Sequence, residues 1–141
     1  MSEETDYKDK YLRALAELEN LRKRTQRDVE LARDQATAQA LLVLLPIVDD
    51  LERAVAAGSS DGVRAIAGKA KATLASMDVV AFESVGKPFM AELMEAIARV
   101  PTRALASGEV AVEITRGYQI RGKLLRPAQV AVAEEEAEDI S

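Results

Sequence analysis

The chain contains no cysteine, no histidine and no tryptophan. Those absences exclude thiol nucleophiles, imidazole bases, disulfides and nearly all zinc sites at once. Aromatic residues are scarce, with two Phe and three Tyr in 141 residues, so no large core can be anchored on them. Much of the apolar content is alanine, which favours helix but buries little area. Such a chain is expected to be elongated and to gain stability by oligomerisation. No segment reaches the roughly 18 consecutive apolar residues of a membrane span. The start, MSEETDYKDK, has no apolar core of a secretory signal. Absence of cysteine fits a reducing compartment, and a cytoplasmic protein that does not engage a membrane is the expectation.

Glycine is missing from residues 9 to 57, where Pro46 is the only proline. An uninterrupted helix of about 48 residues would be roughly 70 Å long, the length of a coiled-coil-like stalk. A heptad seam starting at Tyr11 runs into Arg22, Gln39 and Pro46. An eleven-residue repeat fits better. Leu18, Val29, Ala40 and Leu51 form one row, and Ala14, Thr25, Ala36 and Ile47 a second. The rows Leu15, Gln26, Thr37, Val48 and Tyr11, Arg22, Arg33, Leu44 are apolar at both ends and polar between. That period implies nearly straight or slightly right-handed pairing, with a weak middle. Residues 41 to 48 are apolar nearly all round, so the stalk should enter a bundle there. Pro46 should kink the helix without ending it.

AAGSSDG at 56–62 is a turn, and Val63, Ile66, Ala70, Leu74 and Met77 keep helical spacing after it. One helical hairpin is half of a four-helix bundle, so the pattern implies a dimer. In the last third the segment MAELMEAIARV reads as a short helix. Beyond it Val110, Val112 and Ile114 alternate with Glu109, Glu113 and Thr115, as in an antiparallel β-unit with its apolar face closed on itself. Arg116-Gly117 and Arg121-Gly122 mark tight turns where glycine takes positive φ. The EEEAED tail reads as solvated and disordered. The fold class is therefore α+β. Residues 1–8 are a flexible tail, 9–57 the stalk, 58–78 the second bundle helix, 79–133 the β-domain and 134–141 an acidic tail.

Within the stalk, ENLRKRTQRD packs Arg22, Lys23, Arg24 and Arg27 together in a chain of net charge −5. A charge run on a helix is usually a solvated face, and Glu19 stands four residues before Lys23 in the favourable order. Nucleic-acid binding is disfavoured by the net charge, the lack of interleaved aromatics and the acidic tail. Gly58, Gly62 and Gly68 lack the spacing of a phosphate loop. Glu92 with Glu95, or Glu134 to Glu136, have no cleft around them and read as surface acids. Neither an enzyme nor a cofactor is expected.

The stretches YLRALAELENLRKRTQRD, LLPIVDDLERAV, KPFMAELMEAIARV and GYQIRGKLLRPAQVAV, in this order, resemble the GrpE family, nucleotide exchange factors of DnaK-type chaperones. The resemblance spans about residues 8 to 133. It rests most on Phe89, Met94, Ala96 and Ile97, followed by Gly117, Tyr118, Gly122, Leu125, Arg126, Ala128, Val130 and Val132. The chain departs from the family's pattern at Met90 and Ala91. The resemblance implies a parallel homodimer with a paired-helix stalk, a four-helix bundle and two β-domains. One β-domain would press into the chaperone's ATPase domain and open its cleft. It implies partner contacts at Arg22, Lys23 and Arg24 on the stalk and at Phe89, Ala91, Ile114, Lys123, Arg126 and Val132 on the β-unit. Ile114 and Val132 would serve equally as core residues, and Arg126 equally as one half of a structural ion pair. The dimer seam would hold Leu15, Leu18, Val29, Ala40, Leu44, Ile47 and Leu51. A coiled-coil spacer without exchange activity is the alternative, and the spaced Phe89, Gly117 and Arg126 set argues against it.

Overall fold

A computed structural model describes residues 2–135. Among these described residues the order of elements is two helices followed by six strands. Helix α1 covers Glu3–Ala56, longer at its start than the stalk read from the sequence. The cause is local. Ser2 acts as the N-cap, accepting at its Oγ a hydrogen bond from the Thr5 backbone N–H at 3.4 Å. Glu3, Glu4 and Asp6 then place negative charge in the first turn, where it favours the helix dipole. The helix continues unbroken through Pro46. It ends at Gly58, whose φ of 86° takes the chain out of the helix.

The chain divides into two compact units, Met1–Ala40 and Leu41–Ser141. In the first, the described residues form helix with every side chain exposed except half-buried Ala38. In the second, the rest of α1 buries Leu41, Leu45 and Val48, and helix α2, Asp61–Ser76, buries Ala67 and Leu74. By length and composition alone α1 is also long and apolar enough to cross a membrane. The apolar run at 41–48 supplies the signal, between Arg33 and Asp34 on one side and Asp49 and Asp50 on the other.

Six strands make two three-stranded sheets. Strands β1 (Val79–Ala81), β4 (Tyr118–Ile120) and β5 (Lys123–Arg126) pair antiparallel in the order β1-β4-β5. Strands β2 (Met94–Thr102), β6 (Ala128–Glu135) and β3 (Val110–Thr115) form the other, in the order β2-β6-β3. Here β6 pairs parallel with β2 and antiparallel with β3. The second sheet is thus mixed where the sequence implied antiparallel pairing alone.

The segment MAELMEAIARV is turn followed by strand, not helix. The Leu93 and Met94 N–H groups both bond the Met90 carbonyl, closing a turn, and β2 then runs from Met94 alongside β6. Pairing with a strand more than thirty residues away overrides the local helical spacing. The alternation at 110–114 also breaks, because register shifts lie between Val110 and Val112 and between Glu113 and Thr115. Val110 is fully buried while Val112 and Ile114 are about half exposed, at 47% and 52%. The β-unit core is Met94, Val110, Ala128 and Val130, with Phe82, Phe89, Leu93 and Val132 packed against it. Of the acidic tail, Glu134 and Glu135 continue β6, and residues 136–141 lie outside the described residues.

Candidate partner-binding surface

The stalk residues Arg22, Lys23 and Arg24 are all exposed on α1. The ion pair there is not Glu19 with Lys23. Arg22 takes Glu19 instead, donating from Nη2 at 2.7 Å and Nε at 3.1 Å. Three residues' separation suits the guanidinium fork, which engages both carboxylate oxygens. This bond holds the Glu19 carboxyl below its usual pKa and raises that of Arg22. Leu15, Leu18, Val29, Ala40, Leu44 and Ile47 are exposed, and Leu51 is half-buried. Leu18 at 62% and Ile47 at 59% exposure leave large apolar side chains uncovered within one chain.

On the β-unit the six named residues fall in different settings. Phe89 and Val132 are half-buried against the core. Ala91 is exposed in the turn before β2, and Lys123 is exposed at the start of β5, in the other sheet. Lys123 follows the two-residue turn Arg121-Gly122, in which both residues have positive φ, 50° and 77°. That is the requirement of a type I′ hairpin turn. Gly117 answers a different need, since it lacks positive φ. A Cβ there would run into the Phe82 ring and stand 2.8 Å from the Ala128 backbone nitrogen. Ile114 faces a groove of about 570 Å³ lined by Asp49, Glu52, Arg64, Lys71 and Arg116 among others.

Arg126 turns inward. Its guanidinium donates to Asp49 on α1 from Nη1 at 2.7 Å and Nη2 at 2.9 Å. Its Nε and Nη2 also donate to the Arg116 carbonyl, at 3.0 and 2.6 Å. The same group lies 5.3 Å from the Tyr118 ring centre, within cation–π range. The Arg126 and Asp49 side chains are only 15% and 19% exposed. The Asp49 hydrogen bond raises the Arg126 pKa further, against the effect of burial. Arg116 extends the network, pairing with Glu113 at 3.2 Å and reaching Glu52 at 3.7 Å, while Lys71 on α2 meets Glu52 at 3.1 Å. Burial opposes the Arg116 charge, yet the Glu113 hydrogen bond and the charges of Glu52 and Glu113 raise its pKa. The Ser84 hydroxyl donates to the other Glu113 oxygen.

Sequence reasoning named Arg126 but missed Asp49, Glu52 and Arg116. A signal was present. Asp49 and Glu52 continue the helical face that buries Leu45 and Val48, and acids placed on a buried stripe call for cationic partners. Tyr118 completes the site. Burial, then the charges of Glu52 and Asp49, push its phenol up to about 12, and its buried hydroxyl has no hydrogen-bond partner among the described residues.

The fold defines an α+β protein with one long helix, a second helix and two small sheets tied to the helices by this ionic seam. A family model described as GrpE matches residues 2–134. Protein GrpE of Protochlamydia amoebophila is 40% identical over 140 residues, which cover 93% of this chain and 66% of that protein. Protein GrpE of Gloeobacter violaceus is 35% identical over 94% of the chain and 72% of its own length. That of Thermus thermophilus is 36% identical over 94% and 76%. The chain spans between 66% and 76% of these relatives' lengths. It belongs to the GrpE family, a class of co-chaperone nucleotide exchange factors.

Proposed function

We propose that the chain is a nucleotide exchange factor that binds the ATPase domain of a DnaK-type chaperone in the cytoplasm, opens its nucleotide cleft and accelerates ADP release. The observation that carries this reading is the family match over 2–134, which spans helices and β-unit together. No bond is made or broken in this activity. The factor favours the open cleft because it binds that state better than the closed one, and the population shifts by that difference alone. Contacts come from Phe89, Ala91, Ile114, Lys123 and Val132 on the β-unit. Arg22, Lys23 and Arg24 on the stalk add a docking strip for an acidic protein surface.

The working form is a parallel homodimer. Leu15, Leu18, Val29, Ala40, Leu44, Ile47 and Leu51 line its seam, and the exposure of all but half-buried Leu51 in the single chain supports this arrangement. Residues 9–57 act as stalk, 58–78 as second bundle helix and 79–133 as the arm that reaches the partner.

The test is the release rate of fluorescent ADP from a DnaK-type ATPase domain, chased with excess unlabelled nucleotide. Acceleration that Lys123→Glu abolishes is the expected result. No acceleration by a folded dimer would return the chain to a spacer role.

A further inference from the structure

Arg126 stands among the candidate partner contacts, yet its guanidinium is occupied within the chain. Both Nη atoms meet Asp49 on α1, and Nε and Nη2 meet the Arg116 carbonyl. The β-unit's apolar cluster contains no helix residue. Polar, directional bonds also cross from helix to strand in this unit. Asp49 reaches β5 through Arg126, and Glu52 ties Arg116, and through it Glu113 on β3, to Lys71 on α2. A bidentate carboxylate–guanidinium pair fixes distance and angle together, which an apolar contact alone does not.

We propose that Asp49 and Arg126, braced by the Arg116 carbonyl, form a positioning clamp. It holds the β-unit at one angle to α1 and so presents the exchange surface to the ATPase domain in a binding-competent pose. The role rests on the exchange reading above. Without the clamp the β-unit samples other angles, and only a fraction of molecules is competent at any moment. Apparent affinity falls in proportion to that fraction. Once bound, the geometry is the same, so the rate at saturation is retained. Arg126 acts through the surface it positions, without touching the partner.

The experiment compares the wild-type chain with Asp49→Asn, Arg126→Lys and the double variant. All are assayed at a temperature where circular dichroism shows each folded. Two quantities are read. One is the concentration giving half-maximal acceleration of ADP release, together with the maximal rate. The other is the distribution of distances between spin labels at Lys69→Cys on α2 and Glu95→Cys on β2. The chain has no cysteine of its own, and labelled chain is diluted with unlabelled so that one labelled copy is seen.

Each single variant is expected to raise the half-maximal concentration roughly tenfold, as for a competent fraction cut to about a tenth, at an unchanged maximal rate. The double variant should be no worse than the more severe single, since both act on one clamp, and the label distances should broaden. An unchanged label distribution would overturn the proposal. So would a reduced maximal rate at unchanged half-maximal concentration, which would make Arg126 a direct contact. If Asp49→Asn does not fold, Arg126→Lys decides alone, because it keeps the charge and loses the fork. A wild-type chain that folds but does not accelerate release would overturn the exchange reading and the positioning role with it. The label widths would then still tell whether the clamp exists.

Discussion

Single side chains set hard limits on this fold, and Gly117 sets the tightest. A Cβ added there would meet both the Phe82 ring and the Ala128 backbone nitrogen, so Gly117→Ala forces the chain entering β4 away from its neighbours. A loss of about 2 kcal/mol or more is expected, visible as a lower thermal midpoint. Its importance was legible in the sequence, but the reason assigned there, positive φ, belongs instead to Gly122. Close approach between strands distant in the chain leaves no local pattern to read. Tyr118 gives a second prediction. Its pKa is near 10 in the unfolded chain and about 12 in the folded one. Between those values the folded state holds the proton more tightly, so stability present below pH 10 is lost as pH rises towards 12. Tyr118→Phe removes a buried hydroxyl with no partner among the described residues, so its urea midpoint should already exceed that of wild type near pH 7, and the gap should widen above pH 10. Parallel curves would contradict the assignment.

Among the elements, α1 was the most legible, because the absence of glycine and a long periodic pattern act locally. The strands were less so. Strand β2 looked helical because Leu93, Met94 and Ile97 keep helical spacing, while its partner β6 lies at the far end of the chain. In β3, the bulges that turn Val112 and Ile114 outward are fixed by pairing with β6, not by the residues' own alternation. The clamp shows the same divide. Each half sits in a recognisable segment, but the two stand 77 positions apart, and their meeting requires the chain between them to fold. The helix carries its own predictions. In the proposed dimer the row Leu15, Gln26, Thr37, Val48 is polar in the middle. Gln26→Leu with Thr37→Leu should therefore raise the melting midpoint of the stalk, each replacement adding about 1 kcal/mol per pair of chains. An unchanged midpoint would remove these positions from the seam. On the basic strip, Lys23→Glu with Arg24→Glu should weaken partner association several-fold at low salt and much less at high salt, since exposed charges are screened. Association insensitive to both would show the strip to be a solvated face.

For the whole molecule, Leu18, Val43, Leu44 and Ile47 on α1 are large exposed apolar side chains that the proposed dimer would cover. Light scattering should report twice the 15.3 kDa chain mass, and a monomer at micromolar concentration would contradict the proposed assembly. The central claim is a linkage between two ligands of one chaperone domain. If the factor promotes release by binding the open cleft preferentially, then ADP must expel the factor by the same ratio by which the factor weakens ADP. The decisive measurement is calorimetric titration of the factor into a DnaK-type ATPase domain, with and without saturating ADP. The account predicts a fall in affinity equal to the loss of ADP affinity measured in the reverse titration. Binding of equal strength in both conditions would contradict it.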